Sequence, residues 1–246
     1  KTVPYVMDAS KDYHFTLRWG EARDTDDRDG AVTGEDAHRP TRAAVEAALP
    51  RFRGAIRQMP PKYSALKIAG RRAYDLARQN AEVPLVPREV EVHDFSVDAE
   101  LDQDQTRFKV TSGKGTYMRA LARDLAVLLG TLGHVAELRR LRVGPFSLDR
   151  SISLDSLKAL AHSPAAFEHL QPVETALDGI PALALPGGEA LRLRHGQSVS
   201  VFRVADRQRL ADLHEGDLVY ATDGATPIAI GRIDGGCICP LRVLNL

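Results

Sequence analysis

Tyr117 and Arg119 open the stretch Ser112–Gly130, SGKGTYMRALARDLAVLLG, in which a glycine-flanked turn delivers a phenol and a guanidinium into the first turn of an apolar helix. A phenol can stack on a flat ring or hold a proton, and a guanidinium binds carboxylate or phosphate through paired hydrogen bonds. Their spacing separates them. Tyr117, Leu121, Leu125 and Leu128 recur at helical period and are expected to face a core. Arg119 lies off that stripe, at a helix N-terminus where the macrodipole is positive. A cation held against that field calls for an anion, either a phosphate or a buried carboxylate. A solvated arginine beside a core tyrosine is the plainer alternative.

The elements that must position this pair read as alternating strands and helices. Tyr13–Trp19 alternates in strand fashion and is followed by an acidic turn, EARDTDDRDG, and a second strand near Ala31–Gly34. Thr41–Leu49 reads as a short helix behind Pro40, and Gly70–Gln79 as another. Between them lies a loop-rich passage, Arg51–Leu66, holding Pro60 and Pro61. Arg88–Val97 and Thr106–Thr111 read as strands and Thr116–Leu129 as a helix. His134–Val143 fits either, and Ser153–Ala161 is a helix with serine at its N-cap. After about Pro172 the helical period fades. Turn signals such as Pro186-Gly187-Gly188 and Asp234-Gly235-Gly236 alternate with short apolar runs, Ser198–Val201, Leu218–Ala221 and Ile228–Ile233, as in a small all-β barrel. A domain boundary is expected near Ile180.

With 246 residues, 43% of them hydrophobic, the chain can bury a core, and it has no run long enough to span a membrane. Two cysteines, Cys237 and Cys239, cannot close a four-ligand zinc site. The 33 basic and 33 acidic residues cancel, but 26 of the basic ones are arginine and they cluster: Arg51, Arg53 and Arg57; Lys67, Arg71 and Arg72; Arg139, Arg140 and Arg142; Arg192 and Arg194. Acids cluster elsewhere, at Asp24, Asp26, Asp27 and Asp29. Such segregation is what a nucleic-acid binder of neutral net charge needs. Ordinary solvated faces account for any single cluster.

Three segments together resemble the TruB family of bacterial tRNA pseudouridine synthases: Lys1–Gly30, Gln58–Gln79 with QMPPKYSALK, and Ser112–Phe146 with KGTYMR. The resemblance implies an α+β fold, a mixed, mostly antiparallel sheet with flanking helices over residues 1–179, followed at 180–246 by a small C-terminal PUA-like β-barrel that binds RNA. It implies a monomer in the cytoplasm, with no cofactor, no metal, no membrane and no obligate protein partner. The substrate is tRNA, through its T stem-loop. One T-loop uridine leaves its stack, at a cost of about a few kcal/mol, and is isomerised.

Residue by residue, the resemblance makes Tyr117 and Arg119 catalytic and gives Tyr13, Tyr117 and Leu138 to substrate binding. Tyr13 stacks on the flipped base, Tyr117 lies beneath the uracil, and Leu138 is an apolar contact of its pocket. Arg119 pairs with a nucleophilic aspartate. Asp27 is a polar site or turn residue, Tyr63 and Lys67 support the fold or the RNA face without a role in the chemistry, and Arg192 and Arg194 add phosphate contacts. The family's aspartate lies in a G-x-L-D-P-x-A-x-G segment ahead of the position matching Lys1, and residues 1–246 contain no such segment. The chain therefore reads as lacking its N-terminal part, inactive alone, with no partner for Arg119 inside it. Alternatives are a non-catalytic tRNA-binding or RNA-folding protein and a synthase acting on another RNA.

Overall fold

A computed structural model describes residues 1–68, 70–79, 83–200 and 213–246; Val201, at the end of one expected strand, lies outside them. The chain separates into two compact units, Asp8–Val143 and Lys1–Met7 with Gly144–Leu246. No described helix is long and apolar enough to cross a membrane.

In chain order, helix α1 (Val3–Asp8) precedes β1 (Lys11–Trp19), β2 (Glu21–Arg23), β3 (Val32–Glu35), α2 (Arg42–Ala48) and β4 (Gly54–Gln58). Then come the two-residue strands β5 (Lys67–Ile68) and β6 (Arg71–Arg72), α3 (Ala73–Arg78), β7 (Arg88–Asp102), β8 (Gln105–Ser112), α4 (Met118–Leu128) and β9 (Gly133–Val143). Within the unit Asp8–Val143 the main sheet runs β9-β1-β8-β7-β4, antiparallel at every pairing. Alternation along β1 sends Phe15, Leu17 and Trp19 to one face, where they meet Phe95, Phe108 and Val110. Phe15, Phe95 and Phe108 are fully buried, with ring centroids 5.2–5.9 Å apart. Helices α2 and α4 pack on that face through Val45 and Ala48, and through Met118, Leu121 and Leu125. Each buried leucine contributes about 1.5–3 kcal/mol. Gly133 lets α4 approach the sheet closely: a Cβ there would meet Leu17 Cδ1 at 2.8 Å and Ala126 Cβ at 3.0 Å.

Three readings of this unit change. The helix expected over Gly70–Gln79 begins only at Ala73, because Arg71 and Arg72 pair back on Lys67 and Ile68. His134–Val143 resolves to strand β9, since its one side pairs with β1. On α4 the core face is Met118, Leu121, Ala122, Leu125 and Ala126; Leu128 is 37% exposed and Tyr117 precedes the helix as its N-cap.

The other unit contains β10 (Phe146–Ser147), α5 (Leu154–Ala159), β11 (Ala182–Ala184), α6 (Gly187–Arg194), β12 (Val199–Ser200), β13 (Leu218–Asp223), β14 (Thr226–Asp234) and β15 (Cys237–Val243). Ser153 caps α5 as expected, accepting the Ser156 N–H. The C-terminal strands form one sheet, β11-β13-β14-β15-β12, over a core that includes Leu183, Leu193, Val219 and Ile228. It is not all-β. Pro186-Gly187-Gly188 reads as a turn, yet Pro186 is the N-cap of α6, whose Ala190 and Leu193 are buried. Ile180 falls inside this unit, because Val173, Leu177 and Ile180 pack with Ile230 and Leu244.

Candidate active site

The site forms around the N-terminal half of α4. Strand β8 ends at Ser112, and Gly115 turns the chain with φ +82°, a conformation that favours glycine. The next residues start the helix, so Arg119 and Arg123 project one turn apart along α4.

Both arginines grip the acidic loop between β2 and β3. Arg119 Nη1 donates to Asp27 Oδ2 at 3.0 Å and to the Thr25 carbonyl at 2.8 Å; its Nη2 donates to the Tyr63 carbonyl at 2.6 Å. Arg123 Nη1 donates to Asp26 Oδ2 at 2.9 Å, its Nε to Asp124 Oδ1 at 2.9 Å, and its Nη2 to the Met59 carbonyl at 2.9 Å. The loop is fixed from a second side: Val135 N–H donates to the Asp26 carbonyl and Arg28 N–H to the Val135 carbonyl. Asp27 divides its oxygens. Oδ1 accepts from Thr25 Oγ1 and the Asp29 N–H, closing the turn, while Oδ2 faces Arg119. Asp26 takes φ +59°, a conformation aspartate tolerates. Burial pushes its carboxyl above the usual range, against the pull of the Arg123 charge.

Two expectations fall here. Arg119 is not without a carboxylate within this chain; its partner is Asp27, brought in across 92 positions. The acidic cluster is also not segregated from the basic residues, because Asp26 and Asp27 are both ion-paired to α4. Carboxylate and carbonyl oxygens thus offset the unfavourable helix-end field by charge-assisted hydrogen bonds.

The β2–β3 loop and the start of α4 contribute Asp27, Asp29, Arg119 and Tyr117 to the lining of a cavity of about 390 Å³, and the segment 63–78 contributes Tyr63, Tyr74 and Arg78. The volume suits a small ligand. Tyrosine rings, two guanidiniums and two carboxylates match a flat heterocycle carrying carbonyl and N–H groups. The Arg78 guanidinium lies 5.4 Å from the Tyr74 ring centroid, and Arg72 lies 6.0 Å from it. Ser64 also lines the cavity, and its buried hydroxyl has no hydrogen-bond partner among the described residues. Tyr63, Tyr74, Arg78 and Thr25 were not singled out for this wall by sequence. The quoted YSALK motif was the available signal for Tyr63 and Ser64; Tyr74 and Arg78 needed the tertiary fold.

Tyr13 and Leu138 do not line this cavity. They share a sheet face instead: Leu138 pairs with Phe15 in the β1–β9 register, which places it on the Tyr13–Phe15–Leu17 side. Tyr13 packs half-buried against the core, and Leu138 is 50% exposed. Lys67 is exposed on β5, opposite Arg72. Arg192 and Arg194 lie on α6 in the other unit, beside Glu189 at 3.4 Å and Asp223 at 3.5 Å.

Residues 1–118 match the TruB family pseudouridylate synthase N-terminal domain, and residues 119–178 match the tRNA pseudouridylate synthase B C-terminal domain. The two matches meet inside α4, between Met118 and Arg119. The tRNA pseudouridine synthase B of Rhodospirillum rubrum is 49% identical over 246 residues, covering 100% of this chain and 80% of that protein. The Bradyrhizobium diazoefficiens protein of the same name is 50% identical over 251 residues, covering 100% of this chain and 71% of its own length. That of Gluconacetobacter diazotrophicus is 51% identical over 245 residues, covering 99% and 80%. Among solved structures, a Cbf5-Nop10-Gar1 complex contains a chain similar at TM-score 0.71 and 21% identity, covering 99% of this chain and 68% of that one. An H/ACA RNP bound to a substrate RNA containing 2'-deoxyuridine gives TM-score 0.71 at 19% identity, covering 100% and 69%. These structural likenesses show the shared fold.

Proposed function

The chain belongs to the TruB family of pseudouridylate synthases, and from that premise we propose that it isomerises a uridine in the T loop of tRNA to pseudouridine. In this reaction the bond from N1 of the base to the ribose breaks and C5 takes its place, with the C5 proton released to N1 or solvent. The observation that carries the reading is the cavity where Tyr117, Arg119 and Asp27 converge. The RNA docks, the uridine flips, and unpairing is cheaper in a loop than in a duplex. Tyr117 supports the uracil ring and assists removal of the C5 proton. The family resemblance, rather than the cavity lining, gives Tyr13 a stack on the flipped base, worth roughly 1–3 kcal/mol, and Leu138 an apolar contact; neither lines the cavity.

We assign the covalent step to an aspartate in a glycine-rich G-x-L-D-P segment that the family resemblance places ahead of Lys1. Arg119 would hold that carboxylate while Asp27 and the Thr25 and Tyr63 carbonyls hold the guanidinium. Residues 1–179 carry the synthase role and 180–246 the PUA-like RNA-binding role, a division by function that differs from the compact units, which part at Gly144. Arg192 and Arg194 meet phosphate, and Lys67 supports the fold or the RNA face. The protein works as a cytoplasmic monomer without cofactor.

The test is pseudouridine formation on a T-stem-loop by the protein carrying the upstream segment, beside the polypeptide of residues 1–246 alone. Turnover is expected only in the former, with both binding the stem-loop. A full-length protein that binds tRNA and leaves every uridine unchanged supports the non-catalytic alternative. Turnover on another RNA only would move the substrate.

A further inference from the structure

Gln58, the last residue of β4, is 2% exposed and lies outside the lining of the cavity. Its side-chain amide engages a single residue. Oε1 accepts the Tyr117 N–H at 2.8 Å, and Nε2 donates to the Tyr117 carbonyl at 3.1 Å. A strand residue makes this reciprocal pair with its neighbour; here a side chain makes it, across 59 positions. The amide is the one uncharged side-chain group with donor and acceptor set side by side for that task.

Its attachment point matters. Tyr117 is the N-cap of α4, with extended backbone at φ −103° and ψ 114° and no side-chain cap of its own. The Tyr117 carbonyl also accepts the Leu121 N–H at 3.1 Å, the first bond of the helix. Gln58 therefore holds the residue at which extended chain becomes helix. The next residues of its segment continue along the same helix: the Met59 carbonyl accepts from Arg123, and the Tyr63 carbonyl accepts from Arg119. Gln58–Tyr63, stiffened by Pro60 and Pro61, is a strap laid along the first turns of α4.

We propose that Gln58 is a positioning residue for the reaction: its amide fixes the Tyr117 backbone and so aims the Tyr117 phenol and, two residues on, the Arg119 guanidinium. This rests on the isomerase reading above. Filling the same volume without hydrogen bonds leaves the Tyr117 N–H without its partner and its carbonyl held by the Leu121 N–H alone, and a misplacement of about 1 Å can cost about 100-fold in rate.

The experiment compares Gln58→Met and Gln58→Glu with wild type in the full-length protein, below the unfolding temperature. Single-turnover rate on a T-stem-loop, its Kd, and hydrogen exchange of the peptides spanning residues 113–120 and 121–128 are measured. For Gln58→Met the rate is expected to fall about 10- to 100-fold, with Kd within threefold. Exchange is expected to quicken in 113–120 and not in 121–128. Gln58→Glu loses the donor and sets a buried carboxylate oxygen against the Tyr117 carbonyl, so its rate is expected at or below that of Gln58→Met. If the methionine variant does not fold, Gln58→Asn, which keeps both groups on a shorter stem, takes its place with a rate expected between wild type and Gln58→Glu. Wild-type rates in both variants overturn the proposal. So does a loss of rate and affinity in equal proportion, or one accompanied by faster exchange throughout α4. Absence of turnover in the wild-type protein itself counts instead against the isomerase reading.

Discussion

The two walls of the cavity are finished to different degrees. On the loop side Asp27 has Arg119 together with Thr25 and the Asp29 N–H, and outside the lining Asp26 has Arg123. In the segment 63–78, Arg78 is exposed without a carboxylate partner among the described residues, and the Ser64 hydroxyl is buried without a hydrogen-bond partner. The loop wall is rigid machinery set before substrate arrives, which lowers the reorganisation needed in the transition state. The other wall keeps its hydrogen-bonding capacity for a ligand. Rate should depend on the first wall and affinity on the second.

The sharpest way to break that contrast is Arg119→Ala in the full-length protein. Turnover is expected to fall by at least about 100-fold with stem-loop Kd nearly unchanged, as when a preorganised donor is lost. Near-normal turnover would remove Arg119 from the chemistry. Next comes Arg123→Ala. It strands the half-buried Asp26 carboxylate and should lower unfolding free energy by roughly 1–3 kcal/mol, discounted from a fully buried pair for partial solvent access. Denaturant unfolding reads this directly; an unchanged midpoint would mean the loop does not depend on the helix.

Arg78→Ala probes the open wall. Kd is expected to weaken several-fold, with a salt dependence shallower by about one counterion. Thermal stability should hold, and a Tm drop as large as that of Arg123→Ala would erase the distinction between the walls.

The smallest effect concerns Asp12 and Arg142, an ion pair at 2.7 Å linking β1 to β9 away from either wall. The hydrogen bonds from Arg142 hold the Asp12 carboxyl below its usual range, against the opposing effect of burial. A depressed folded-state value means stabilisation that is present above the unfolded value of about 3.9 and lost as pH falls through the folded one. Asp12→Asn should therefore cost under about 1 kcal/mol near neutrality and nothing in strong acid. A constant difference across that range would contradict the ion pair as its source.

What sequence made legible was what is local. Strand β1, the serine cap of α5 and the start of α4 each follow from neighbouring residues, so Tyr117 and Arg119 stood out at once. Leu128 was misplaced because the last turn of a helix can outrun the surface it covers. Helix α6 was missed because Pro-Gly-Gly signals a turn and an N-cap equally well. Asp27 appeared as a polar site or turn residue without its arginine partner, and Gln58 as part of a motif, because each meets α4 from a distant element. Periodicity carries no information on such pairings.

The order of strands in the main sheet sets when this pocket can exist. Central strand β1 pairs with β8 and β9, so Arg18 waits for Gln105 and Lys11 for Val143. Non-local pairings of this kind must pay loop-closure entropy before any contact rewards it, which slows folding. During synthesis, Asp27 leaves the ribosome long before Arg119, and the β9 edge that fixes its loop comes later still. Within the unit Asp8–Val143 the cavity is thus among the last features to form, and a chain made only through β8 lacks the α4 residues that line it.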